Sequence, residues 1–147
     1  MAVATVPDRK IETLFVQKET LIAAPAEIVF DTLFEPQGPM KDMQLKLERF
    51  VGGRWYRDLG EGSGHLWGHV QVIKPPKLLE LCGPMFMSYP VMSHVQYRLT
   101  EEGGGVRLTL THQAVGLLAP EHMAGVNEGW QQIVEGIRRR SEERSRR

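Results

Sequence analysis

His112 is the residue in this sequence best placed to do chemistry. It sits in the run Val106, Leu108, Leu110, His112, Ala114, whose members alternate with Arg107, Thr109, Thr111 and Gln113. Such period-two alternation marks a half-buried strand, with His112 on its apolar face. A buried imidazole must satisfy two ring nitrogens, because an unpaired buried polar group costs about 1–3 kcal/mol. Pairing this strand with the preceding one puts Ser93 opposite His112, at a Cβ separation of about 5 Å. Ser93 can take one nitrogen. The other either is closed off by a backbone carbonyl or faces the space above the sheet, where it would orient a ligand oxygen or move a proton.

The other reactive residue types are less promising. If Trp55 points inward, alternation turns Arg57 and Leu59 inward too, with Arg57 near Gly68, and a buried guanidinium needs an anionic partner such as a ligand carboxylate. The opposite register would put Arg57 in water. His65 and His69 are four residues apart on one strand, about 13 Å and too far for one metal ion. They share a face with Trp67 and Gln71, the expected outer one. Cys82 is the single cysteine and reads as a strand residue without a partner. The glycine-rich stretches 60–64 and 103–105 lack the lysine and following helix of a phosphate loop, so they are turns. No paired carboxylates fall on the apolar face, and acid–base hydrolysis has no visible machinery. No catalytic residue, cofactor or metal is assigned.

These residues have to be positioned by a sheet and a long helix. Strands are expected at 11–23, 43–50, 54–59, 65–73, 78–82, 91–100 and 106–114, separated by turn signals every eight to twelve residues as in an antiparallel meander. Pairing Leu99 with Val106 brings Tyr97 to Leu108, Val95 to Leu110 and Ser93 to His112. Similarly Val72 meets Leu79, Val70 meets Leu81 and Gly68 meets Gly83. One face is then apolar and the other polar, the pattern of a sheet covered on one side. The cover is a helix over residues 120–140, where Met123, Val126, Trp130, Ile133 and Ile137 recur at steps of three and four. Pro120 suits its first turn. Gly125, Gly129 and Gly136 lie beside the Trp130 stripe and would let a backbone or a ligand come close, at about 1 kcal/mol each relative to Ala. Pro25 opens a shorter helix that ends before Pro36, and residues 37–42 form a turn or a second short helix. The loop 83–90 holds Met85, Phe86, Met87 and Tyr89, a set suited to a cavity lid, a dimer contact or a surface patch.

At 147 residues the chain reads as one domain over residues 11–140, large enough to bury about 70% of its unfolded surface. A loose arm, 1–10, precedes it, and a basic tail, 141–147, follows. Lys plus Arg and Asp plus Glu number 18 each, so bulk charge gives no reason to expect nucleic-acid binding. No apolar run reaches the ~20 residues of a membrane span, the first ten residues lack a signal-peptide core, and a lone cysteine suits a reducing compartment. The expectation is a cytoplasmic protein.

The ordered set of motifs is similar to that of a known superfamily. Residues 24–30 (Ala-Pro-Ala-Glu-Ile-Val-Phe), the Gly52-Gly53-Arg54-Trp55 turn, Gly68 with Pro75-Pro76-Lys77-Leu78, residues 106–112 and the Gly129-Trp130 pair resemble the helix-grip superfamily (START-like, SRPBCC). Within it the chain resembles the branch of the activator of the 90-kDa heat-shock chaperone's ATPase. The resemblance implies an α+β helix-grip fold. A curved antiparallel sheet of about six or seven strands wraps a long C-terminal helix, with one or two short helices after the first strand. It also implies a hydrophobic cavity between sheet and helix, and ligand binding there. The residues expected to face a ligand are Trp55, Arg57, Gly68, Val70, Leu81, Ser93, Val95, Tyr97, Leu110 and His112 from the sheet, with Met123, Val126, Trp130 and Ile133 from the helix. The leading expectation is a module that binds a small hydrophobic or amphipathic molecule. The alternatives are a cyclase- or aromatase-like enzyme using His112 for proton transfer, and a protein-interaction domain with the chaperone as partner or a homodimer.

Overall fold

A computed structural model describes residues 10–147. The expected arm, 1–10, lies outside them apart from Lys10. The chain forms β1 (Glu12–Ile22), α1 (Ala26–Thr32), a short 3-10 helix (Gly38–Met43), β2 (Leu45–Leu47), β3 (Arg54–Gly60), β4 (Ser63–Lys74), β5 (Leu78–Gly83), β6 (Val91–Glu102), β7 (Gly105–Gly116) and α2 (Pro120–Ser145). One antiparallel sheet of seven strands runs in the order β1-β7-β6-β5-β4-β3-β2. Every step from β2 to β7 is a neighbour-to-neighbour hairpin, and β1 closes onto β7 from the far end. The long helix covers the concave face. This is the α+β helix-grip architecture.

The strand faces follow the alternation. Ser93, Val95, Tyr97 and Leu99 on β6, and Val106, Leu108, Leu110, His112 and Ala114 on β7, are all buried. The register differs from expectation. Leu99 pairs with Leu108, Tyr97 with Leu110, Val95 with His112 and Ser93 with Ala114. The strands run farther into the turn than expected, leaving only Gly103 and Gly104 to reverse the chain, both at positive φ. Two consecutive left-handed residues make the tight hairpin turn that matches strand twist. A shift of two keeps each side chain on its face, so Ser93 becomes a diagonal neighbour of His112.

A one-residue irregularity has a larger effect. On β4, Trp55 pairs with Gly68 while Tyr56 pairs with Leu66, leaving Trp67 as an extra residue. Such a bulge reverses the alternation beyond it. Trp67, expected on the outer face with His69 and Gln71, is 2% exposed, and Leu66 faces out instead. A second shift between Val70 and Val72 leaves Val70 opposite Leu81 as expected but puts Glu80 opposite Val72. The expected strand over 43–50 shrinks to the three residues of β2, because the 3-10 helix runs to Met43 and Gln44 turns the chain in a left-handed conformation, φ 56°.

The α2 stripe is as read, with Val126, Trp130, Ile133 and Ile137 buried against the sheet. At about 1.5–3 kcal/mol per fully buried large apolar side chain, this stripe is the main tie between the two layers. The helix does not stop at Arg140. Arg138 pairs with Glu142 at i,i+4, and Arg144 reaches α1, donating to Thr32 Oγ1 at 3.1 Å and Glu35 Oε1 at 2.6 Å. Glu142 accepts the backbone N–H of Ala23 at 3.0 Å. Residues 141–147, expected as a basic tail, are therefore docked through Glu142 and Arg144.

Candidate functional site

Two voids lie between α2 and the sheet. The larger, about 240 Å³, is lined by Pro39, Met40 and Met43 of the 3-10 helix, by Trp67 on β4, by Met85 and Phe86, and by the helix face from Glu121 to Ile133. Each wall has a local cause. Trp67 turns inward because of the bulge. The Met85 N–H donates to the Trp67 carbonyl at 2.8 Å, which ties the following loop to the bulge. Met85 takes a left-handed φ of 59° and is buried, as is Met87. Of the three roles open to this loop, cavity lid, dimer contact or surface patch, its burial agrees with the first: Met85 and Phe86 are part of the cavity wall. On the helix side, a Cβ added at Gly125 would meet nothing within 4 Å, and one at Gly129 only Pro39 Cγ at 3.9 Å. These two glycines leave the helix backbone bare at the cavity. Gly136 is different: it makes room for Gln37, whose Oε1 would lie 2.9 Å from an added Cβ.

Polar groups at this cavity are few. His122, at the start of α2, has its Nδ1 2.9 Å from the Tyr89 hydroxyl, which also accepts the Ala119 N–H at 3.2 Å. The His122 ring stacks on Tyr89 and meets Phe86 edge-on. Trp67 packs edge-to-face on Trp55 at 5.1 Å. Its Nε1–H is buried and, among the described residues, has no hydrogen-bond partner.

His112 is sealed beneath α2, at 0% exposure. Its Nε2 lies 3.0 Å from Ser93 Oγ, and its Nδ1 accepts the Trp130 indole N–H at 2.9 Å. With Nδ1 an acceptor, the neutral ring carries its proton on Nε2 and donates it to Ser93. Burial pulls the His112 pKa from about 6.5 down to about 4, keeping the ring neutral. Ser93 satisfies one nitrogen as expected. The other meets neither ligand nor carbonyl, but the indole of the residue that was expected to line the cavity.

The chain matches the family model described as Activator of Hsp90 ATPase homolog 1-like protein over residues 23–142. The chain belongs to this family. No curated protein matches the sequence. Among solved structures, an uncharacterized protein from Rhizobium leguminosarum superposes with a TM-score of 0.71 at 19% identity, covering 93% of this chain and 99% of its own. Protein Mll3558 from Rhizobium loti gives 0.69 at 19% identity, with 89% and 99% covered. Protein MLL2253 from Mesorhizobium loti gives 0.66 at 22% identity, with 86% and 95% covered. At these identities the likeness is one of fold.

Within this family fold, the residues expected to face a ligand separate into groups. Val126, Trp130 and Ile133 line the larger cavity. Trp55, Leu81 and Tyr97, again with Ile133, line a void of only about 30 Å³, room for a water molecule and little more. Burial pushes the Tyr97 phenol well above its usual range, so it stays protonated. Val70, Val95, Leu110, Ser93 and His112 are buried in the core and line neither void. Gly68 supports the backbone: a Cβ there would lie 2.3 Å from the Cys82 carbonyl oxygen. Met123 is half-buried against the core. Arg57 is half-buried and, among the described residues, has no anionic partner. Its Nε donates to the Met43 carbonyl at 2.8 Å, and Leu59, beyond it, is 52% exposed. His65 and His69 pair with different residues, Arg57 and Cys82. The expectation missed Trp67, Pro39, Met40, Met43, Glu121 and His122. The glycines beside Trp130 and the apolar loop after β5 were the signals that pointed to this cavity.

Proposed function

We propose that the protein binds a small hydrophobic or amphipathic molecule in the cavity between its sheet and C-terminal helix. The observation that carries this reading is the cavity of about 240 Å³ walled by Met40, Met43, Trp67, Met85, Phe86 and the Val126–Trp130–Ile133 face. Ligand sites are mostly apolar, with a few placed polar groups, and this wall has that character. Its volume exceeds the ~150 Å³ of an apolar cavity that accepts benzene. The cavity therefore has room for one or two rings. An enzyme that moves a proton through His112 has no support, since both ring nitrogens are engaged and the ring is fully covered.

A protein partner is the second reading, favoured by one observation. Phe15, Met92 and Val115 are 63%, 56% and 47% exposed on neighbouring strands of the outer sheet face, where Met92 pairs with Val115. A chaperone, which the family description suggests, or a second copy of the chain would bind there and not at the cavity. A reducing, cytoplasmic setting agrees with the free, half-buried Cys82. No helix among the described residues is long and apolar enough to cross a membrane.

The test is saturable binding of the apolar dye N-phenyl-1-naphthylamine, read by its emission. Gly125→Leu puts a side chain into the cavity from a position where a Cβ meets nothing within 4 Å. The variant should lose about tenfold or more in affinity while melting no lower than the wild type. Equal dye affinity in the two proteins would move the binding site elsewhere.

A further inference from the structure

We propose that the occupant of this cavity is a neutral one- or two-ring compound bearing a hydrogen-bond-accepting oxygen, and that the indole N–H of Trp67 reads that oxygen. The inference rests on the cavity being the binding site and adds the chemical class of what fills it.

The two buried indoles at the cavity differ in one respect. The Trp130 N–H is satisfied by His112 Nδ1 at 2.9 Å. The Trp67 N–H is buried without a partner among the described residues, although Trp67 is only 2% exposed. A buried donor left unpaired is costly, and native structures with one have a reason for it. Regular alternation would have kept this indole outside. It is inside because of a bulge on β4, held by the Met85 N–H on the Trp67 carbonyl. Bulges of this kind re-aim a side chain towards a site. The irregularity thus puts Trp67, which carries an unsatisfied donor, among the residues of the cavity wall.

The rest of the wall selects the acceptor's surroundings. Met40, Met43 and Met85 are unbranched and adaptable, so the wall can repack around an entering molecule. Across from Trp67, the bare backbone at Gly125 and Gly129 leaves room for a flat ring. Among the described residues no lysine or arginine lines the cavity; its titratable groups are Glu121 and His122. A carboxylate would find a repelling group in Glu121 and no permanent counter-charge. A ketone, aldehyde, quinone or amide oxygen fits; an acid does not.

The test compares 1-indanone with indane, two bicyclic molecules of like shape that differ by a carbonyl. In ¹H–¹⁵N spectra of the wild-type protein, assigned by triple-resonance methods, both should perturb the backbone amides of Val126 and Gly129. Only 1-indanone should move the Trp67 indole N–H signal downfield. Trp67→Phe should weaken 1-indanone about tenfold and leave indane within about twofold. If that variant does not fold, the wild-type spectra decide alone. Binding of both compounds with an unmoved Trp67 signal overturns the acceptor and leaves the cavity reading standing. An upfield-shifted Trp67 signal that ignores 1-indanone has the same effect, because the N–H then rests on the Trp55 ring 5.1 Å away. Binding of neither compound overturns the inference together with the reading beneath it.

Discussion

Acid should weaken this fold through one residue, and the size of the effect can be worked out. His112 has a pKa of about 4 in the folded protein against about 6.5 when solvated, because burial disfavours its charged form. Between those values the unfolded chain binds a proton that the folded chain refuses. The stabilising contribution is complete above about pH 6.5 and is lost as pH falls towards about 4. At 1.36 kcal/mol per unit of pKa, the loss reaches about 3 kcal/mol near pH 4. The comparison that isolates it is His112→Gln. Glutamine does not titrate, and it keeps a donor and an acceptor for Ser93 and Trp130, which lie 3.0 and 2.9 Å from the imidazole. Near neutral pH the variant should be less stable by about 1–2 kcal/mol, the cost of poorer hydrogen bonds. Near pH 4 the order should reverse, since only the wild type carries the penalty. Urea unfolding of both proteins at several pH values measures this directly. Carboxylates titrate in both and cancel in the difference. Two stability curves that stay parallel from pH 7.5 to pH 4 would refute the reasoning, and would mean that the imidazole keeps its ordinary pKa in the folded protein.

Two further outcomes follow from the packing of α2. Deleting residues 141–147 should destabilise the protein by about 2–4 kcal/mol, because it removes the charge-assisted bond from Ala23 N–H to Glu142 and the Arg144–Glu35 pair; a fall in melting temperature of about 5–15 °C is expected, and an unchanged value would mean that the tail does not dock. Gly125→Ala should stabilise by about 0.5–1 kcal/mol through helix propensity alone, whereas Gly136→Ala should destabilise because its Cβ would lie 2.9 Å from Gln37 Oε1; calorimetry that finds both substitutions shifting the melting temperature in the same direction would count against the assigned surroundings of the two glycines.

Much of the fold was legible because period-two and period-3.6 patterns tolerate the errors made in reading them. The β6–β7 hairpin was read with Leu99 opposite Val106, and it lies opposite Leu108. Even so, every side chain on both strands stayed on its expected face, because a shift of two preserves parity. The α2 stripe survived in the same way although the helix runs on to Ser145, since added turns extend a face without rotating it. By charge alone Arg138, Arg139 and Arg140 suit a helix C-terminus. The pairing of Arg138 with Glu142 and of Arg144 with Glu35 is what carries the helix past them, and the second of these partners is over a hundred residues away in the chain.

The sheet side of the cavity was not legible for the opposite reason. Parity has no tolerance for a shift of one, and the bulge at Trp67 is such a shift. Alternation alone puts Trp67 with His65 and His69 on the outside, and nothing in its own type contradicts that. The trace it leaves lies in its neighbours. Gly68 and Gly83 approach so closely that a Cβ on Gly83 would lie 2.4 Å from the Gly68 Cα, a distance only two glycines permit. A glycine inside a strand often marks a bulge or a close backbone approach, and here it marks both. The same crossing brings Met85 onto the Trp67 carbonyl. The indole and the Met85 part of the wall therefore depend on one local break in the regularity that makes the rest of the fold readable. On the sheet side the residue that builds the site, Trp67, is the one that departs from the pattern, and a reading based on the pattern selects the sealed core around His112 instead.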